Sequence, residues 1–284
     1  MAVILDGRQM SEQALGDVAR RVETLKKRGV RPGLAVVLVG DDPASQTYVR
    51  TKGKACDRVG IYSRTMILPA DTTQEELDRL IDELNRDDDI DGILVQLPLP
   101  AGFNEQHTLA RILPEKDADG FHVLNAGRLM LGMDSILPCT PKGILYMLKS
   151  AQVPLDGANA VVVGRSNIVG KPTAMLLLRE NCTVTLCHSR TKDLGQITSQ
   201  ADILVAAVGR PEMITADMVR EGAAVVDVGI NRRNGRLVGD VAFEQVSQKA
   251  GYISPVPGGV GLMTVAMLMD NVTTLAERRA DGRK

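Results

Sequence analysis

The apolar positions of this chain fall into two rhythms. Short aliphatic runs recur, and segments with helical spacing lie between them. Leu34–Gly40, Ile61–Leu68 and Ile90–Val95 read as strands. Asp42–Gly60 and Thr73–Arg86 read as the helices between them. Asp42 can cap the first of these, with Pro43 in its first turn, and Thr73 with Glu76 makes a capping box for the second. An earlier helix is expected from Ser11 to about Arg28, with Ser11 as cap and Gly29 as stop. The order βαβαβ predicts a parallel sheet with right-handed crossovers. QLPLP (96–100) ends the third strand, because prolines block further pairing.

The segment 101–138 is less regular, and Pro138 and Pro141 around Cys139-Thr140 mark a domain junction. Lys142–Lys149 reads as a helix. A second series then begins. AVVVG (160–164), TVTLC (183–187), ILVAAVG (203–209) and AAVVDVG (223–229) read as strands, and Lys171–Glu180 as a helix. A Pro/Gly loop at 254–261 enters a last amphipathic helix reaching about Arg278, and the tail RRADGRK is read as frayed. This pattern predicts an α/β protein of two domains, the second a Rossmann-type dinucleotide-binding domain. Residues 1–138 with 265–284 are assigned to the first domain and 139–264 to the second.

One helix face is unusual. At about 100° per residue, Val49, Ala55, Cys56 and Val59 form an apolar stripe, and Ser45, Tyr48 and Lys52 fall inside it. Arg50, Lys54, Asp57 and Arg58 fall outside. A lysine within such a stripe needs a reason. Its stem either snorkels at the edge of the core or lines a functional cleft with Tyr48 and Ser45.

Composition narrows the classes. The chain has 284 residues, 44% of them hydrophobic, enough for one large domain or two smaller ones. The net charge is −1 and only four Tyr and three Phe occur, which argues against a nucleic-acid surface. Cys56, Cys139, Cys182 and Cys187 form no CxxC pair and the histidines are dispersed, so no metal site is expected. Reduced, buried cysteines in the cytoplasm are the simplest reading. No apolar run approaches a membrane span, and the N-terminal run is too short for a signal peptide.

Three stretches carry chemistry. GRSNIVGKP (164–172) lies between a strand and a helix. Gly164 makes the turn, Gly170 allows close approach, and the helix N-terminus is expected to offer N–H groups to a pyrophosphate. The next strand ends in Cys187-His188-Ser189-Arg190 without the acid that reads an NAD ribose. Arg165, Ser189 and Arg190 suit a 2′-phosphate instead, so NADP is the expected cofactor. PGGVG (257–261) is either a surface for a flat ligand or a strained turn. Asp119 in DADG (117–120) could grip a ring's N–H and amino group, or be a turn aspartate.

Together these stretches resemble the bifunctional methylenetetrahydrofolate dehydrogenase/methenyltetrahydrofolate cyclohydrolase family over nearly the whole chain. The motifs are SxxYVxxK at Ser45–Lys52, VQLPLP at Val95–Pro100, PEKDADGFH at Pro114–His122, VVGRSNIVGKP at Val162–Pro172 and PVPGGVG at Pro255–Gly261. The resemblance implies that Lys52 is the catalytic lysine, Tyr48 a stacking ring, Gln96 the residue that positions the lysine, and Asp119 the pterin grip. It implies folate contacts at Val95, Leu97 and Pro257, Gly258, Gly259, Val260 and Gly261. Cofactor contacts are implied at Thr140, Gly164, Arg165, Ser166, Ser189, Ile230 and Thr264. It further implies NADP as cofactor, tetrahydrofolate derivatives as substrates, and a homodimer. Leu262 and Thr173 stand where the family usually has Pro and Met; Leu262 bears on the folate wall, and Thr173 is read as tolerated on its helix. The competing readings are another two-domain NADP dehydrogenase, such as a shikimate dehydrogenase-like enzyme, and a non-catalytic nucleotide sensor.

Overall fold

The computed structural model describes residues 2–233 and 235–282. β1 (Val3–Ile4) and α1 (Gly7–Lys27) open the chain. β2 (Gly33–Val39), α2 (Pro43–Val59), β3 (Tyr62–Leu68), α3 (Gln74–Arg86) and β4 (Gly92–Val95) follow as the expected βαβαβ. The segment read as irregular holds α4 (Glu105–Arg111) and α5 (Val123–Met130), and α6 (Cys139–Ser150) comes next. The second series runs β5 (Asn159–Val163), α7 (Gly170–Arg179), β6 (Thr183–Cys187), α8 (Leu194–Thr198), β7 (Ile203–Ala206) and β8 (Ala224–Asp227). It is completed by β9 (Asn231–Arg233), β10 (Arg236–Val238), α9 (Phe243–Val246), β11 (Tyr252–Ile253) and α10 (Val260–Ala280).

These elements form two compact units. One holds the chain up to Glu12 with Leu129–Met133 and Pro138–Thr264; the other holds Gln13–Arg128, Asp134–Leu137 and the chain from Val265 onward. The second of these carries a parallel sheet in the order β3-β2-β4. Every residue of β2 is buried, as befits a central strand covered on both faces. Ala35, Val37 and Val39 pack with Leu77, Ile81 and Leu84 of α3. The opposite face carries Leu34, which approaches Val272 of α10 at Gly92, where an added Cβ would stand 3.1 Å from Val272.

The other unit is built on a six-stranded sheet in the order β1-β11-β8-β7-β5-β6, whose ladders are all parallel. Val161, Val163, Leu204, Ala206 and Val225 face a core shared with Ile214, Val219 and Val246. Crossovers such as α7 between β5 and β6 give the doubly wound pattern of nucleotide-binding sheets. β1 adds to this sheet, since Val3 pairs with Tyr252 and Ile4 with Ile253.

Two terminal expectations are corrected. α1 starts four residues before Ser11, because the Asp6 carboxylate accepts the N–H groups of Arg8 (2.8 Å) and Gln9 (3.2 Å) and caps the helix there. The Ser11 hydroxyl instead donates to the Arg8 carbonyl at 2.9 Å. At the other end, Arg278 and Arg279 are not frayed. Arg279 donates twice to Asp91, whose side chain is wholly buried (2.6 and 3.2 Å), and Arg278 donates to Asp134 at 2.8 Å. A buried carboxylate demands such a partner, so it fixes the end of α10 against the sheet. The rest of the tail includes 283–284, outside the described residues. No helix among the described residues is long and apolar enough to cross a membrane, and all four cysteines are free and buried.

Candidate active site

Lys52 is placed by the local sequence. Asp42 caps α2 by accepting the Ser45 N–H at 2.7 Å, Pro43 occupies the first turn, and Gly60 ends the helix in a left-handed conformation. Val49, Ala55, Cys56 and Val59 are buried as the stripe requires, while Arg50, Lys54, Asp57 and Arg58 are exposed. Within the stripe, Ser45 is buried and Lys52 half-buried, but Tyr48 is 44% exposed. The phenol is therefore left accessible to solvent rather than filling the core.

The lysine meets its partner across 44 residues of sequence: Nζ of Lys52 donates to Oε1 of Gln96 at 2.9 Å. The Gln96 amide is held at both levels. Its backbone N–H donates to the Val37 carbonyl at 2.8 Å, continuing the ladder of β2 past the end of β4. Its side-chain Nε2 donates to the Leu97 carbonyl at 2.7 Å, which leaves the oxygen for the lysine. Leu97-Pro98 is a cis peptide bond.

Asp119 reaches the same sheet end by a different route. Residues 116–118 run beside β4, with Ile93 bridged to Asp117, the Ile93 N–H donating to the Lys116 carbonyl at 2.7 Å, and the Ala118 N–H to the Ile93 carbonyl. Continuing that register brings half-buried Asp119 level with Val95, just before Gln96. Strand ends of this kind are where open α/β sheets bind ligands.

Sequence reasoning missed the residues that hold this loop. Asp117, buried, accepts N–H groups from Phe121 (3.1 Å), His122 (2.8 Å) and the Asn125 side chain (2.8 Å). Burial pushes its carboxyl up, against the pull of those donors. Asn271 of α10 donates to the carbonyls of Ala118 and Leu137, both at 2.9 Å. Of the two acids in DADG, the first is the scaffold, while the second, Asp119, is only half-buried.

In the other unit, Gly164 has φ +125°, and a Cβ there would collide with the Ala207 carbonyl. A Cβ on Gly170 would collide with the Gly164 carbonyl and stand 2.9 Å from the Arg165 nitrogen. The turn is thus closed backbone against backbone. Ser166 Oγ accepts the N–H groups of Val169 (3.1 Å) and Gly170 (3.3 Å), and the Ser166 carbonyl accepts that of Lys171 (3.1 Å). In the structure, the first N–H groups of α7 are thus held by Ser166 within the turn.

A cavity of about 250 Å³ opens at the ends of β5, β6 and β7, lined by Gly164, Arg165, His188, Ser189 and Arg210 among others. It has cationic and hydroxyl groups and no carboxylate, which suits a phosphate. Arg190 does not line it. His188 accepts the Arg190 N–H at Nδ1 (3.1 Å), which leaves Nε2 to carry the proton of the neutral ring. Thr140 and Thr264 lie 2.9 Å apart through their hydroxyls; Thr264 donates to the Val260 carbonyl, so Thr140 donates to Thr264. Ile230 is 53% exposed, 3.7 Å from where a Cβ on Gly261 would stand. Pro257–Gly259 form the loop before α10, and Val260 and Gly261 its first turn. Thr173 is less comfortable than its helical position suggested. It is 1% exposed, and its hydroxyl has no partner among the described residues.

Behind this cavity lie two buried carboxylates. Asp227 accepts N–H groups from Gly229 (2.9 Å), Asp240 (2.9 Å) and Val241 (3.0 Å). Asp240 accepts those of Val208 (2.6 Å), Gly209 (3.0 Å) and Arg210 (2.8 Å), and the Asn231 side chain (2.9 Å). Burial pushes the Asp227 carboxyl up to about 6 and Asp240 adds like charge, while the three N–H donors oppose both. With a native value above the unfolded 3.8, this group favours the folded state fully below about pH 4. That contribution, on the order of 3 kcal/mol, is lost as pH rises through about 6. We expect the Asp227 carboxyl carbon to titrate by NMR near pH 6, and lower in Asp240→Asn. A midpoint at the ordinary carboxylate value would contradict this.

These features define a two-domain α/β protein whose larger sheet has the doubly wound topology of nucleotide-binding domains. Two family models match the chain: residues 5–119 match the tetrahydrofolate dehydrogenase/cyclohydrolase catalytic domain and 138–280 its NAD(P)-binding domain. The chain belongs to the tetrahydrofolate dehydrogenase/cyclohydrolase family. It is 56% identical to the bifunctional protein FolD of Halalkalibacterium halodurans over 276 residues, covering 97% of this chain and 99% of that protein. Among solved structures, the bifunctional FolD enzyme of Campylobacter jejuni is 49% identical with a TM-score of 0.97, over 98% of this chain and all of that one. The Trypanosoma brucei enzyme, solved with NADP and an inhibitor, is 40% identical with a TM-score of 0.93, over 98% of both chains.

Proposed function

We propose that this protein oxidises 5,10-methylenetetrahydrofolate to the 5,10-methenyl form and hydrolyses that to 10-formyltetrahydrofolate, in one-carbon metabolism. The observation that carries the reading is the 2.9 Å bond from Lys52 to Gln96 at the end of the first sheet. The folate-binding domain is assigned residues 1–138 and 265–284 and the NADP-binding domain residues 139–264, although the chain up to Glu12 lends β1 to the sheet of the latter. NADP supplies the hydride acceptor; Gly164, Arg165, Ser166, Ser189, Ile230, Thr140 and Thr264 are its proposed contacts. The cationic, carboxylate-free cavity supports that fit.

The first step demands alignment more than proton transfer, because the folate nitrogens stabilise the cation left on the bridging carbon. Tyr48 offers its exposed ring to the flat pterin, and Asp119 accepts hydrogen bonds from its N–H groups. Val95, Leu97 and Pro257–Gly261 complete the folate contacts. In the second step water adds to the methenyl carbon, one carbon–nitrogen bond breaks, the released nitrogen takes a proton, and a proton leaves to solvent. Lys52 moves that proton. Gln96 orients the amine through Oε1 without adding charge. Leu262, 37% exposed beside this loop, shapes the folate wall.

The test is absorbance of reduced cofactor on adding 5,10-methylenetetrahydrofolate with NADP, then with NAD, to wild type and Asp119→Ala. We expect NADP to be preferred, and the variant to raise the folate KM while leaving the NADP KM nearly unchanged. Equal loss of both would assign Asp119 a folding role instead. The reading includes a cytoplasmic homodimer, supported by the family resemblance and the free buried thiols. A sedimentation mass of one chain would remove the dimer from it.

A further inference from the structure

The usual reader of the ribose 2′ position stands at the end of the strand after the glycine-rich turn. Here that is β6, with Ser189. The cavity shows a second source of charge. β7 lies on the other side of β5 from β6, and the residue four beyond its end, Arg210, lines the same 250 Å³ space as Arg165, His188 and Ser189. Cation and hydroxyl groups therefore converge from the ends of three neighbouring strands.

Two further observations single out Arg210. Arg220 and Arg233 of the same unit are committed to Asp202 and Glu212 as ion pairs. The Arg210 guanidinium has no carboxylate partner among the described residues, so its charge is available to a ligand. Its backbone is also fixed. Val208, Gly209 and Arg210 donate three successive N–H groups to the one buried carboxylate of Asp240, which is anchored through its own N–H to Asp227. A long cationic side chain on a rigid base loses less freedom on binding than one on a loose loop.

We propose that Arg210 is a specificity-determining residue that binds the 2′-phosphate of NADP from the β7 side, facing Ser189 and Arg165. The proposal rests on the NADP reading above and adds a residue to it. Asp240 is the positioning residue that sets the base of the arginine.

Calorimetric titration of the full chain with 2′,5′-ADP and with 5′-AMP tests this without any turnover, since the two ligands differ by the 2′-phosphate. Wild type should bind 2′,5′-ADP more tightly. Arg210→Gln should weaken 2′,5′-ADP roughly tenfold to a hundredfold, the range of a lost charge-assisted hydrogen bond, and leave 5′-AMP unchanged. Arg210→Lys should recover part of the loss. Undiminished preference for 2′,5′-ADP in Arg210→Gln overturns the role of Arg210 and leaves the NADP reading intact. Equal weakening of both ligands also overturns it, because the change then acts through the loop. No preference in wild type overturns both.

Discussion

Lys52→Gln should cut hydrolysis of 5,10-methenyltetrahydrofolate by about two to four powers of ten while part of the hydride transfer survives. The substitution keeps a polar side chain of similar reach on α2 but removes the group that can gain and lose a proton. General acid–base catalysis by one side chain is worth about two to four powers of ten, so the hydrolytic rate should fall by that amount. At about 1.4 kcal/mol per tenfold, this is a barrier change of roughly 3–5 kcal/mol. Hydride transfer asks only for alignment, and Gln96 remains anchored through Val37 and Leu97 without the lysine. The measurement is decay of the methenyl absorbance against the uncatalysed background, beside formation of reduced NADP from the methylene substrate. Full hydrolysis in this variant would remove Lys52 from the chemistry. The split between activities also separates the competing readings. A general NADP dehydrogenase has no hydrolytic step to lose, and a nucleotide sensor has neither.

The sequence made the periodic elements legible and left the irregular ones hidden, for identifiable reasons. β2 reads from its unbroken aliphatic run because both faces are covered. The Thr73 capping box reads because both of its bonds are local, and both form. β1 and β11 are two residues each and stand only because they pair across the chain, which no local pattern announces. The β9–β10 hairpin had a signal, the Asn-Gly dipeptide at 234–235, but its strands lack alternation. For the site, helical geometry placed Lys52 on the inward stripe but could not choose between a snorkelling stem and a cleft. The resemblance supplied the choice, and the bond to Gln96 gives it a geometry. The supporting carboxylates Asp227 and Asp240 could not be read, since they collect N–H groups from distant loops, and Asp117 looks in sequence like any turn aspartate, because its partners Phe121, His122 and Asn125 follow it closely. A cavity of about 490 Å³ between α1 and α10 is larger than the one proposed for the cofactor, yet Arg21 there is engaged by Asp270 and Glu277. Its charges are spent on one another, so volume alone does not locate the chemistry.

Gly170→Ala should separate the two activities in the opposite direction. The added methyl has no space, because the atoms it meets are the Gly164 carbonyl and the Arg165 nitrogen, which are backbone and cannot rotate away. Either α7 or the Gly164 turn must move. Gly164 cannot absorb the change by adopting common backbone angles, since its φ of +125° is already outside what side-chain-bearing residues favour. The forced separation costs about 1–3 kcal/mol of stability, as overpacking does. It also displaces Arg165 from the cofactor cavity, and an error near 1 Å in a reacting pair is worth about a hundredfold in rate. The NADP-dependent oxidation should therefore fall by about that factor, with a raised NADP KM. Hydrolysis of added methenyl substrate needs no cofactor and draws on Lys52 and Gln96 in the other unit, so it should persist. Gly195→Ala is the matched control, since a Cβ there meets only Met218 Cγ at an ordinary 3.6 Å. It should leave both activities in place. Parallel loss of oxidation and hydrolysis in Gly170→Ala, with Gly195→Ala intact, would mean that the glycine pair holds up the fold rather than the cofactor turn.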